Sequence, residues 1–188
     1  MLERLDGFPD IQAVADPGGA KPSAWRTHRA CLEALPADAT HLLVLQDDAW
    51  PCDRFHQRAL AVLEEKPARI VSLFVPGFSH IRRQVNIARK KGSRWIDLDA
   101  RGFVPIVAVV YPADTVAAIL TFADTIRMPL VRADDAVIAS YCRATRTFPA
   151  APIPSLVEHR DELPSVMRMP YGRGQPHRVA AWFADTVA

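Results

Sequence analysis

His41-Leu42-Leu43-Val44-Leu45-Gln46-Asp47-Asp48-Ala49-Trp50-Pro51 is the stretch that most limits what this chain can become. An aliphatic run, Leu42 to Leu45, ends abruptly in an amide and two adjacent carboxylates, with a proline soon after. A run this short, bounded by polar residues, predicts a buried strand of an α/β sheet rather than a helix. Asp47 and Asp48 then fall at the carboxyl end of that strand, where open α/β sheets bind their ligands. Neighbouring carboxylates repel, and both stay ionised only with a cation or strong donors close by. Hard oxygen ligands at a strand end suit Mg²⁺ or Mn²⁺ carrying a phosphate-bearing substrate. A solvated acidic turn is the plain alternative for the same dipeptide.

The rest of the chain alternates in the α/β manner. Leu2 to Phe8 reads as a short helical or irregular opening, and Ile11 to Ala15 as a strand ending at the turn cluster Asp16-Pro17-Gly18-Gly19. Ser23 is placed to cap a helix reaching Leu35, with Trp25, His28, Cys31, Leu32 and Leu35 at helical spacing. Asp53 is placed to cap a second helix ending at Glu65. Arg69 to Val75 reads as a β run stopped by Pro76-Gly77, followed by a helical stretch near 79–91 and a short strand around Trp95-Ile96. Phe103 to Tyr111 predicts a buried strand, and Pro112 opens a helix carrying Val116, Ile119, Leu120, Ala123 and Ile126. Asp134-Asp135 precede a helix from Ala136 to Thr145, where acidic residues suit the positive end of the dipole. Phe148 to Val157 reads as extended and leads to Glu158-His159-Arg160. The segment 165–188 reads as loop and then a short helix over Arg178 to Thr186.

A length of 188 residues is one ordinary domain with room for a sizeable core. Hydrophobic content of 49% and a mean hydropathy of +0.00 are those of a soluble globular protein. The net charge of +2 gives no bulk argument for nucleic acid or membrane. No apolar run approaches the length of a membrane span, and no signal-peptide layout opens the chain. Three cysteines, an odd number, do not make a disulfide framework, so a reducing cytoplasmic setting is expected.

Three pieces together resemble the GT-A-type, nucleotide-sugar-dependent glycosyltransferases. Leu42-Leu43-Val44-Leu45-Gln46-Asp47-Asp48-Ala49 resembles their hydrophobic strand and DxD-like motif. Arg132-Ala133-Asp134-Asp135-Ala136-Val137 is similar to the acidic motif opening the helix that faces the acceptor. Pro154-Ser155-Leu156-Val157-Glu158-His159 is similar to the late strand that ends in a histidine. The match runs from about residue 10 to 166 in the family's order. It implies a single α/β domain with a GT-A-like mixed sheet and helices on both faces. The family's opening strand is missing, or Met1 is an internal start. Gln46 also stands where the motif's first carboxylate belongs.

The resemblance implies transfer of a sugar from a nucleoside-diphosphate donor, a UDP-sugar foremost, to a hydroxyl of a carbohydrate or protein acceptor, assisted by Mn²⁺ or Mg²⁺. Asp48 and His159 would hold the metal, while Asp16, Gln46 and Asp47 would contact the donor nucleotide or sugar. Asp135, with Asp134 beside it, would take the proton from the acceptor hydroxyl. No nucleic-acid partner and no membrane span are expected. Two other classes fit the residues: an inactive binding or structural protein of the same fold, and a metal-dependent phosphoester hydrolase. The latter would need carboxylates grouped to hold two metals. Asp48, Cys52 and His56 have a zinc-like spacing, but Pro51 interrupts it and no second pair follows.

Overall fold

The computed structural model describes residues 2–8, 10–18, 23–99, 104–126, 133–160 and 179–186. After a 3-10 helix at Leu2–Leu5, these residues form α1 (Ala24–Glu33), β1 (His41–Leu45), β2 (Ala49–Pro51) and α2 (Phe55–Glu65). There follow β3 (Val71–Ser72), α3 (Ser79–Lys90), β4 (Trp95–Asp97), β5 (Ala108–Pro112) and α4 (Ala113–Ala123). The order closes with α5 (Asp134–Thr145), β6 (Ala150–Pro152), β7 (Val157–His159) and a 3-10 turn at Ala184–Thr186. The main sheet has five strands in the order β1-β5-β3-β6-β4, and β2 pairs with β7 in a separate two-stranded sheet. Of the neighbouring pairs in this sheet only β3 and β6 are parallel, so the sheet is mixed.

Helices cover both faces of this sheet, and side-chain alternation explains why. Val44, Val109 and Tyr111 point to one side, into a cluster with Trp25 and Leu32 of α1, Ile119 of α4 and Ile138 of α5. Their strand neighbours Leu43, Leu45, Ala108 and Val110 point to the other side, against Phe55, Ala59 and Val62 of α2. A third cluster joins Ile81, Val85 and Ala88 of α3 to Ile96 and Ala151. Ile119 and Ile138 are 0% exposed, so truncating either to alanine should cost about 2–5 kcal/mol.

Local chemistry sets the helix ends. The Ser23 hydroxyl accepts the Arg26 N–H at 3.3 Å and caps α1, which ends at Glu33 rather than reaching Leu35. Asp53 does not cap α2: Arg54 occupies the cap position at φ 54° with no side-chain capping hydrogen bond. Asp53 instead pairs with Arg4 at 3.0 Å. Pro112 stands immediately before α4, as its fixed φ allows. α5 takes both acidic residues into its first turn instead of starting after them.

Three expected strands differ, and of the β run from Arg69 to Val75 only Val71–Ser72 is strand. Ile11 to Ala15 form no strand, and Ile11 is 53% exposed. An apolar run bounded by turn residues stays unpaired when no neighbour meets its backbone groups. The expected strand 103–111 begins only at Ala108. Phe103 lies outside the described residues; Val104, Pro105 and Ile106 are buried but not laddered, as a proline without an N–H dictates. The Pro105 carbonyl accepts the Ser72 hydroxyl at 2.7 Å. Of the expected C-terminal helix, Arg178 lies outside the described residues and the segment before Ala184 is not helical. Bridges Pro76↔Ala180 and Ser155↔Phe183 hold it to the body. Among the described residues no helix is long and apolar enough to cross a membrane, and Cys31, Cys52 and Cys142 are free thiols.

Candidate functional site

Strand β1 ends at Leu45, and the chain turns through Gln46-Asp47-Asp48 into β2, with the Ala49 N–H donating to the Gln46 carbonyl at 3.0 Å. The turn places three polar side chains at the carboxyl end of the strand. Asp47 is exposed at its tip. Gln46 and Asp48 each reach a partner far away in sequence.

Asp48 meets His159. The ladder of β2 with β7 pairs Ala49 with His159, and the Arg160 N–H donates to the Asp48 carbonyl at 2.7 Å. That register brings His159 Nε2 to 2.9 Å from Asp48 Oδ2. His159 therefore arrives from the adjacent strand, not from across a cleft. Its side chain is 9% exposed and that of Asp48 23%. The other two atoms, Asp48 Oδ1 and His159 Nδ1, are buried with no hydrogen-bond partner among the described residues. Orphaned buried acceptors are uncommon in folded proteins and call for an ion, water or ligand. Phe74, itself buried, flanks the imidazole at 6.2 Å between ring centroids.

Gln46 meets Asp134. Its amide Nε2 donates to Asp134 Oδ2 at 3.2 Å, bridging 88 positions of sequence and joining the strand-end turn to the start of α5. Asp134 Oδ1 accepts the Asp135 N–H at 3.0 Å, and Asp135 Oδ1 accepts the Ala136 N–H at 2.7 Å. Both carboxylates thus serve the orphan donors of the helix start. Burial, with the neighbouring Asp135 charge, pushes the Asp134 carboxyl up to about 6. Burial also raises Asp135, opposed by the Ala136 N–H. Adjacent raised carboxylates at a strand-end turn make this a candidate acid–base site.

Behind Asp134 lies a polar pair that the sequence reading passed over. His28 on the inner face of α1 puts Nε2 3.0 Å from the Tyr111 hydroxyl and Nδ1 3.8 Å from Asp134 Oδ2. Burial lowers the His28 pKa to about 4. The ring is neutral at physiological pH, so its approach to Asp134 is dipolar rather than an ion pair. Burial likewise raises the Tyr111 hydroxyl well above its ordinary value. At the sequence level, His28 sat among the apolar positions of α1 and Tyr111 in an apolar strand. A histidine on a buried helix stripe was the available signal, because it needs a polar partner.

The structure thus forms two pairs about one strand-end turn, Gln46 with Asp134 and Asp48 with His159, and Asp135 follows Asp134 in the first turn of α5. Asp16 stands apart: its carboxylate binds the Arg26 guanidinium at 2.6 and 2.8 Å and accepts the Gly18 N–H at 3.1 Å. Those bonds hold it below the usual carboxylate range, the Arg26 bond foremost. Trp25 belongs to the core at 3% exposure. The zinc-like spacing does not assemble, since Cys52 is fully buried and His56 packs edge-on against Phe8. Among the described residues no group of three or more His, Cys, Asp or Glu could hold a metal. Asp48 and His159 could supply two ligands, with the others coming from substrate and water, and the imidazole favours a transition metal such as Mn²⁺ over Mg²⁺. A hollow of ≈ 520 Å³ lies elsewhere, between the N-terminal 3-10 helix and the start of α2, and is lined by His56 but by none of Gln46, Asp48, Asp134, Asp135 and His159. No protein-family model matches the chain, and no curated protein is significantly similar to it.

Proposed function

We propose that the protein is a metal-assisted glycosyltransferase acting on a nucleoside-diphosphate sugar, with the turn 46–48 and the start of α5 as its centre. One observation carries the reading. The polar segments that resemble the GT-A motifs, scattered from Gln46 to His159 in sequence, meet at a single strand end through the Gln46–Asp134 and Asp48–His159 contacts.

The donor set fits a divalent cation. The cation would take the place of the contact between Asp48 Oδ2 and His159 Nε2, drawing one carboxylate oxygen and one ring nitrogen as ligands. A bound cation would neutralise charge on the departing diphosphate. Asp135 takes the proton from the acceptor hydroxyl as its oxygen forms the new bond to the anomeric carbon. The bond from that carbon to the diphosphate breaks, and the diphosphate leaves with the electron pair. Asp135 Oδ1 is held by the Ala136 N–H, which fixes the direction in which Oδ2 is presented. Asp134, neutral part of the time near pH 6, anchors Gln46 and keeps the two halves of the centre in register.

An inactive protein of the same fold is favoured by a different observation: Gln46 and Asp16, both expected to touch the donor, are engaged by Asp134 and Arg26. Thermal shift with UDP- and GDP-sugars, with and without Mn²⁺, separates the two readings. Metal-dependent stabilisation by a nucleotide sugar supports the transferase; no stabilisation by any of them rejects it.

A further inference from the structure

Helix α3 and the turn after it carry the densest charge in the chain. Between Ser79 and Arg94 there are six Lys and Arg residues and no Asp or Glu. The whole chain is only +2, so the remainder is net acidic and the cationic character is concentrated on this element. Helical geometry decides where it points. Ile81, Val85 and Ala88 are buried in the cluster shared with β4 and β6. Arg83, Ile87 and Lys90, spaced i, i+4 and i+7, therefore lie along the opposite, outward line. All three are exposed, as is Lys91.

Two of the basic side chains are engaged by the body of the protein. Arg94 pairs with Glu65 at 2.8 Å, and the Arg89 guanidinium lies 4.0 Å over the Trp182 ring. In contrast, no carboxylate among the described residues pairs with Arg83, Lys90 or Lys91. Ile87 stands 45% exposed between Arg83 and Lys90. Exposed large apolar side chains occur elsewhere among the described residues, at Ile11, Leu60 and Phe148, but Ile87 alone of them lies on this cationic helix face.

We infer that this face of α3 docks on an anionic lipid surface, with Arg83, Lys90 and Lys91 against headgroup phosphates and Ile87 in the interfacial layer. The proposal does not depend on the transferase reading. Charge complementarity selects an anionic partner, and the form of the face selects a lipid surface. Arg83 and Lys90 lie on one line of α3 about two turns apart, so both can meet a plane at once. Single-stranded nucleic acid would want aromatic rings for base stacking, and the outward line of α3 has an isoleucine instead. Near an anionic bilayer each Lys or Arg strengthens binding by about fivefold, and screening by salt weakens it.

The test is co-sedimentation of the full chain with vesicles of phosphatidylcholine alone or mixed with phosphatidylglycerol, at low and high salt. Binding is expected only to the mixed vesicles, falling as salt rises. The variant Arg83→Gln/Lys90→Gln/Lys91→Gln should bind about a hundredfold more weakly, and Ile87→Ser several-fold more weakly. All four side chains lie outside the core, so unchanged melting curves verify that both variants are folded. The inference is overturned if the parent does not sediment with mixed vesicles or if the triple variant binds as the parent does. It is also overturned if duplex or single-stranded RNA at matched phosphate concentration binds more tightly and Ile87→Ser changes nothing.

Discussion

Asp134→Asn should make the protein more stable at neutral pH, and the gain should vanish in acid. Asp134 is 8% exposed, and its carboxyl moves from an ordinary 3.8 up to about 6 on folding. At 1.36 kcal/mol per pKa unit, ionised Asp134 costs the folded state roughly 3 kcal/mol, an upper figure because water and small rearrangements screen the charge. The sign follows from proton binding. Between 3.8 and about 6 the folded chain holds this proton and the unfolded chain has lost it, so stability falls as pH rises through that window. Asparagine has no such charge, but its carbonyl can still accept the Asp135 N–H, and Gln46 can turn its amide over to accept from the new NH₂. The expected advantage of the variant is therefore about 1–3 kcal/mol at about pH 7.5 and near zero below about pH 4. For a chain of this length that is about 2–4 °C in Tm per kcal/mol. Urea unfolding of both proteins across this range measures it. A variant less stable than the parent at neutral pH, or a difference that does not change with pH, would refute the reasoning that burial dominates at this carboxylate.

Three further outcomes are expected. Asp48→Ala should abolish metal-dependent nucleotide stabilisation while leaving the fold intact, because its side chain lies at a strand end; calorimetry with UDP and Mn²⁺ checks this. Asp135→Asn should preserve donor binding and reduce turnover by about 10²–10⁴-fold, and an active Asp135→Asn beside a dead Asp134→Asn would exchange their roles. Tyr111→Phe should destabilise the protein by about 1–3 kcal/mol by leaving buried His28 Nε2 without its partner, and a Tm equal to that of the parent would show that the pair contributes nothing.

What the sequence made legible were the elements whose signal is periodic and local. α1, α3 and α4 follow from apolar spacing, and β1 from an aliphatic run too short for a helix. Their boundaries held to within a residue or two where a cap or proline marks them, as at Ser23 and Pro112. Ile11–Ala15 failed for the opposite reason: a strand depends on the neighbour that pairs with it, which no local pattern reveals. Asp53 failed because the chain enters α2 through a left-handed Arg54, a conformation that arginine rarely adopts and composition does not announce. Within the site, Gln46, Asp48, Asp134 and His159 were readable as polar groups at element ends. Their pairwise contacts were not readable, since they depend on the β2–β7 register and on where α5 starts. The His28–Tyr111 pair was the least visible, because each residue matches an apolar pattern until its polar atom needs a partner.

The β2–β7 ladder gives the centre a means of reporting its own integrity. Asp48 and His159 belong to distant parts of the chain and are held together by this short sheet, whose ends are marked by the Cys52 N–H to Leu156 carbonyl bond at 2.8 Å and the Arg160 N–H to Asp48 carbonyl bond at 2.7 Å. Those two amides can exchange with solvent only when the ladder opens, and opening parts the carboxylate from the imidazole. Their deuterium uptake therefore counts how often the native protein disassembles its own centre. Anything that bridges Asp48 and His159 must slow both amides together, with no such requirement on the amides of the distant helix α3.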